Sequence, residues 1–152
     1  PTYMSPEQAA GLPGEENELP AELVERLQEA VAAKYRQMLQ TIRDGWVFQD
    51  QGVPAWQRMD FSMTKMKQLA HNAEEIAENG MEPRLTTGES HTATALEAAL
   101  EKALADIEKT LAMHLQLQGD AQAQQHGGLM SNLDLTVYQE RYEAEELRGW
   151  LK

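Results

Sequence analysis

The sequence predicts an all-α fold, a helical bundle of four principal helices with a flexible acidic N-terminal tail. Ala, Leu, Glu, Gln, Lys and Met are abundant whereas Val, Ile and aromatic residues are scarce, which is the composition of helices rather than sheets. Apolar residues also recur at spacings of three and four in several long segments. The chain of 152 residues is long enough to bury a core of its own.

The clearest helical pattern spans about 94–118. Its apolar stripe consists of Leu96, Leu100, Leu104, Ile107, Leu111 and Leu115. Thr94 and Glu97 match a capping box at the start, and Gly119 is a typical stop signal. Because so many large apolar side chains share one face, this helix requires a partner surface, which the other helices can supply.

Two helices are predicted ahead of it, over about 20–44 and 54–79. The first carries a stripe of Val24, Leu27, Val31, Tyr35, Met38 and Ile42. The second places Met59, Met63, Met66, Ala70, Ala73 and Ala77 on one line, flanked by Leu69 and Ile76. We expect this line to face the core, since methionine fills irregular gaps between helices.

The two ends of the chain are less regular. Residues 1–19 contain four glutamates and no basic residue, and Gly11, Pro13 and Gly14 interrupt them, so they predict a mobile tail before a single domain over 20–152. After a polar connection, a last helix is predicted over about 133–151.

The net charge of −12 argues against several kinds of partner. Direct binding of nucleic acid or of an anionic membrane is disfavoured, because both depend on clustered Lys and Arg. No apolar run reaches the length of a membrane-spanning helix, and no signal peptide is visible, so a cytoplasmic location is expected. The absence of cysteine excludes disulfides and thiolate-bound zinc.

A protein partner is the main functional expectation. The segment from Trp46 to Trp56 concentrates aromatic residues, which are enriched at binding hot spots, and the later helices carry acidic faces that suit a basic protein. The predicted partner-binding residues are Trp46, Phe48, Val53, Trp56, Glu140 and Glu143. The sequence therefore predicts a non-catalytic interaction module: an adaptor, an inhibitor or immunity protein, or an assembly protein. A homo-oligomer is left open.

Two alternatives remain. The first is an acidic protein that mimics nucleic acid and inhibits a basic nucleic-acid-binding protein, as some phage proteins do. The second is a metal-binding helical bundle that uses Met59, Met63 and Met66 or the histidines His71, His91, His114 and His126. The histidines are scattered and no HExxH or paired Glu-x-x-His pattern is present. We therefore predict no catalytic residue, no cofactor and no metal ligand.

Overall fold

The computed structural model describes residues 18–85 and 93–152, which form four long α-helices. The helices are α1 (Ala21–Val47), α2 (Val53–Glu78), α3 (Leu96–Ala123) and α4 (Gly127–Trp150). The described ranges contain no strand, and the predicted all-α bundle is confirmed. None of these four helices combines the length and the apolar character that a membrane crossing needs.

The four helices pack with every neighbouring pair antiparallel. Helices α1 and α2 form one hairpin and α3 and α4 form another, while α1 also packs on α3 and α2 on α4. Side-chain bonds show the direction of the α1–α3 pair, since Arg26 meets Asp120 whereas Gln37 meets Asp106. Helices α2 and α3 are therefore parallel on the diagonal, so the chain crosses the length of the bundle between them. One such long crossover defines a known class of four-helix bundle.

Several helix ends differ from their predicted positions. Helix α3 begins at Leu96 with Ala95 as its N-cap and no side-chain cap bond, so the predicted Thr94–Glu97 capping box is not formed. The helix also continues through Gly119, because burial of Ala121 in the core outweighs the cost of about 1 kcal/mol for glycine inside a helix. Helix α4 begins at Gly127, capped by His126. Residues 1–17 of the predicted tail lie outside the described residues.

The apolar core is divided along the bundle axis. The larger cluster contains Leu23, Leu27, Ala30, Val31, Leu69, Ile76, Leu117, Ala121, Leu129 and Leu133. A smaller cluster toward the other end contains Leu100, Ile107, Ala144 and Leu147. The helix segments between these two clusters carry buried polar and charged side chains. The bundle therefore has a polar layer at its middle.

The polar layer changes which helix faces are buried. On α2, Met63 and Met66 are 58% and 51% exposed, so the methionine line faces outward rather than toward the core as predicted. Lys65 takes an inward position instead. On α3, Leu115 is 38% exposed while His114 is buried. Because the buried charges have partners, the interior accepts them and the helices present a different face from the most apolar one.

Candidate functional site

All four helices contribute to the buried polar layer. Its members are Lys34 and Gln37 from α1, Arg58 and Lys65 from α2, Thr110 and His114 from α3, and Glu140 and Glu143 from α4. Lys34, Lys65 and Glu140 are among the most fully buried side chains of the described residues. A buried charge is costly unless it is paired and hydrogen-bonded, so the partners of each group decide whether the layer is stable.

The carboxylate of Glu140 is held from three sides. Its Oε2 accepts hydrogen bonds from Lys34 Nζ at 2.6 Å and from Thr110 Oγ1 at 2.8 Å. His114 Nδ1 donates to Glu140 Oε1 over 2.8 Å. Burial alone would raise the pKa of Glu140, but Lys34 and His114 lower it to about 2. Glu140 is therefore ionised throughout the ordinary pH range.

The carboxylate of Glu143 is shared by two cations of α2. Its Oε1 accepts a hydrogen bond from Lys65 Nζ, and its Oε2 accepts one from Arg58 Nη1 at 3.2 Å. Arg58 Nη2 also donates to Thr41 Oγ1 at 2.9 Å. Burial would raise the pKa of Glu143, but Lys65 and Arg58 lower it. Burial lowers the pKa of Lys65 to about 7, although Glu143 favours the ammonium form.

Gln37 connects Lys34 and Thr110, two of the hydrogen-bond partners of Glu140, with a cleft at the surface. Its Oε1 accepts from Lys34 Nζ at 3.1 Å, and its Nε2 donates to Thr110 Oγ1 at 3.0 Å and to the Asp106 carbonyl at 2.9 Å. Gln37 and Thr110 also border a cleft of about 480 Å³ between α1 and α3. The layer thus approaches the surface on the α1–α3 side of the bundle.

We expect Glu140 to make the protein sensitive to acid. Its folded pKa of about 2 lies below the ordinary 4.5, so the unfolded chain takes up the proton first as the pH falls. The stabilisation is complete above about pH 4.5 and is lost as the pH falls toward about 2. Urea unfolding across this range should show the loss, and Glu140→Gln should show a weaker dependence. An unchanged dependence in the variant would assign the acid sensitivity to other carboxylates.

The predicted partner-binding residues divide into two groups. Trp46, Val53 and Trp56 are 61%, 58% and 69% exposed. Phe48 is buried in a small cluster, although the sequence placed it on the binding surface. Glu140 and Glu143 are 0% and 3% exposed, so their assignment to an acidic surface is wrong. The physical reason is that lysine, arginine and histidine side chains from the other three helices pair with these two carboxylates inside the bundle.

The residues considered for a metal site do not converge. Met63 and Met66 face outward, and His71 is exposed on α2. His114 belongs to the polar layer, whereas His126 accepts a hydrogen bond from the Leu129 amide at the start of α4. His91 lies outside the described residues. Over residues 18–85 and 93–152, no group of three or more His, Cys, Asp or Glu residues is arranged to hold a metal ion.

One feature of the sequence could have indicated that Glu140 and Glu143 are buried. They lie three residues apart on one helix face, which is the spacing of the paired ligands in carboxylate-bridged metal bundles. Lys34 and Lys65 also continue inward stripes, since Lys34 follows Val31 by three residues and Lys65 precedes Leu69 by four. Charged residues in phase with core positions indicate a buried network.

Comparisons with known proteins find a similar fold but no match by sequence among family models and curated proteins. No protein-family model matches the chain, and no curated protein matches it by sequence. The structure is similar to that of Rhodobacter capsulatus bacterioferritin, with a TM-score of 0.80 and 14% sequence identity. The match covers 88% of this chain and 86% of that one. The bacterioferritin structure is described as having a metal-free dinuclear site and a heme iron in a crystallographic special position. At this identity the likeness shows the fold alone.

The comparison contradicts the main functional prediction. The similar structure is a bundle with a dinuclear metal site, not an adaptor, inhibitor or immunity protein. The interaction module with aromatic and acidic surfaces is therefore wrong, and the alternative of a metal-binding bundle is better supported by the fold. The comparison does not support the other alternative, a protein that mimics nucleic acid. The fold does not decide whether this chain binds a metal. That depends on the donor atoms of the polar layer.

Proposed function

We propose that this chain is a ferritin-like bundle subunit in which protein cations take the place of metal ions at the centre. The observation that carries the proposal is that each carboxylate oxygen of Glu140 and Glu143 already accepts a hydrogen bond from a protein donor. The bundle then needs no metal to neutralise these buried carboxylates. Its function is structural, as a metal-independent subunit of this fold.

The donor atoms of the layer do not fit a dinuclear centre. Ferritin-like metal bundles supply a Glu from each of two helices and a Glu-x-x-His pair from each of the other two. Here α4 supplies Glu140 and Glu143, and α3 supplies His114. The charged members from α1 and α2 are lysine and arginine. Lys34 and Arg58, as cations, have no lone pair for a metal and repel it, and Lys65, whose pKa is lowered to about 7, is held against Glu143. The residues of this layer therefore do not support a metal-dependent oxidation activity.

The ion pairs have a structural task in this proposal. Lys34 joins α1 to α4, and Arg58 and Lys65 join α2 to α4, so the pairs select which helix faces meet. A buried ion pair is weak evidence for stability, but breaking one of its members is strongly destabilising. An incorrect register of the helices would leave charges buried and unpaired. The network thus favours one packing of the bundle over others.

Three earlier expectations remain part of the proposal. They are the absence of catalysis, a cytoplasmic location and association with further copies of the same chain. Self-association is supported by exposed apolar side chains on the outer face of α2. A basic protein partner is dropped, because two of the acidic residues assigned to its binding surface are interior.

Elemental analysis tests the proposal. The protein should be purified without chelator from cells grown with added iron, in parallel with the double variant Lys34→Met plus Glu140→Gln. We expect metal well below one ion per chain in both proteins. The control is Glu145→Gln, which changes an exposed carboxylate on the same helix. One or more ions per wild-type chain would contradict the proposal, and their loss in the double variant alone would place them at the centre.

A further inference from the structure

The cleft of about 480 Å³ between α1 and α3, hereafter the α1–α3 cleft, concentrates positive charge. Arg36 of α1 and Lys102 and Lys109 of α3 line it, together with the carboxylates of Glu29 and Asp106. Acidic residues outnumber basic ones by 25 to 13 in the whole chain, so a local excess of cations reverses the general composition. None of these three cations belongs to the buried polar layer.

Two of the cations lie on opposite walls of the α1–α3 cleft. Gln37 donates a hydrogen bond to Thr110, so their neighbours in sequence, Arg36 and Lys109, lie at the same level of α1 and α3. Both cations are exposed, and Lys109 has no ion-pair partner among residues 18–85 and 93–152. An anion between the two walls would therefore be attracted from both sides.

We propose that the α1–α3 cleft binds a small phosphate monoester whose phosphate lies between Arg36 and Lys109. A planar guanidinium matches two phosphate oxygens, and an ammonium supplies a compact second charge. Lys102 pairs with Asp106, so the carboxylate one turn from Lys109 is compensated and repels the phosphate less. This binding activity is additional to the structural role of the chain, and it does not depend on whether the centre of the bundle holds a metal.

The floor of the α1–α3 cleft is already in place without a ligand. Gln37 donates to Thr110 Oγ1 and to the Asp106 carbonyl, and Thr110 Oγ1 donates to the buried Glu140. Because these bonds anchor the floor to the polar layer, binding requires little ordering of the protein. The volume also lies within the range of about 300–1,000 Å³ that is typical of small-molecule sites.

One end of the α1–α3 cleft is apolar, which favours an ester over free phosphate. Ala33 precedes Arg36 by three residues and Met113 follows Lys109 by four, and both line the cleft. Since α1 and α3 are antiparallel, the two apolar side chains lie on the same side of the cations. An organic group attached to the phosphate would cover them and remove apolar surface from water.

The charges around the α1–α3 cleft limit the ligand to a small molecule. Glu29 lies seven residues before Arg36, about 10 Å away along α1, and places a carboxylate beyond the apolar end. The net charge of −12 disfavours a long polyanion, which needs an extended basic surface. A phosphorylated small molecule therefore fits these charges better than a nucleic acid does.

Isothermal titration calorimetry of the full chain with phenyl phosphate tests the site, near neutral pH and at about 0.15 M salt. We expect one molecule per chain and a Kd below about 1 mM. Arg36→Gln combined with Lys109→Gln should weaken binding at least about 10-fold, because charge-assisted hydrogen bonds are lost. The matched control, Lys67→Gln combined with Arg141→Gln, removes two exposed cations from α2 and α4 and should keep the wild-type affinity. All four positions are exposed, so circular dichroism should show both variants folded.

Inorganic phosphate and phenol give a second test. Inorganic phosphate lacks the group that covers Ala33 and Met113, so it should bind more weakly than phenyl phosphate, and phenol should not bind. Equal affinities for the two phosphates would overturn the assignment to an ester. The site itself would be overturned by no binding of phenyl phosphate at millimolar concentration, by unchanged binding in the Arg36 and Lys109 variant, or by an equal loss in the control.

Discussion

Glu140→Gln is expected to lower the free energy of unfolding by about 3–5 kcal/mol. The variant removes the negative charge that compensates Lys34, whose side chain is 2% exposed. It also weakens the bonds from Thr110 and His114 to the same carboxylate. Urea unfolding followed by circular dichroism at neutral pH measures the change.

A second variant separates charge from shape. Lys34→Met combined with Glu140→Gln leaves no unpaired charge at this position and nearly preserves both side-chain volumes. It should recover much of the stability that Glu140→Gln alone loses. Glu145→Gln, on the exposed side of α4, should change stability by no more than about 0.5 kcal/mol. A double variant no more stable than the single one would show that Lys34 does not depend on Glu140.

Glu143→Gln is expected to cost a similar amount, about 3–5 kcal/mol, for a different reason. Its carboxylate is shared between Arg58 and Lys65, so its loss leaves two buried cations facing each other. Arg58 keeps its bond to Thr41, whereas Lys65 has no other bond in the described part of the chain. Where Lys65 keeps its proton, repulsion between the two cations adds to the cost of the unpaired ammonium, and at neutral pH the cost is that of giving up this proton.

The loss of stability in Glu143→Gln should depend on pH, because Lys65 titrates. The folded pKa of about 7 lies below the ordinary 10.5, so between these values the unfolded chain binds the proton more tightly and stability rises with pH. Without Glu143, Arg58 and Lys34 lower the folded pKa further. Unfolding measured from about pH 5 to about pH 9 should therefore show the rise beginning at a lower pH in the variant than in the wild type, in which it begins near pH 7. Parallel profiles would exclude Lys65 as the titrating group.

The part of the fold that follows simple apolar periodicity was predictable. Val24, Leu27 and Val31 on α1 are buried as their spacing indicates, and α2 lies within a residue of its predicted bounds. On α2 the pattern was ambiguous, because the helix has two usable faces. The methionine line is the more apolar face, yet the inward face carries Lys65 beside Leu69 and Ile76. Periodicity alone cannot choose between two faces when buried charges have partners elsewhere in the chain.

The candidate site was not predictable from local sequence. Glu140 lies 106 residues from Lys34, and Glu143 lies 78 residues from Lys65. A glutamate on a helix is usually solvated unless such a partner exists, so both were assigned to the surface. The three-residue spacing of the two glutamates, together with lysines in phase with core positions, was the available signal. It becomes informative only once the helices are known to meet at one layer.

Thermal unfolding in the presence and absence of metal tests the central claim most directly. The protein is stripped with chelator, and its Tm is measured while Fe²⁺, kept free of oxygen, or Zn²⁺ is added in increasing amounts. If protein cations already neutralise Glu140 and Glu143, the Tm stays constant over the titration. A Tm that rises with metal concentration, and does so in the wild type but not in Lys34→Met plus Glu140→Gln, would contradict the account, because a ligand stabilises the folded state it binds.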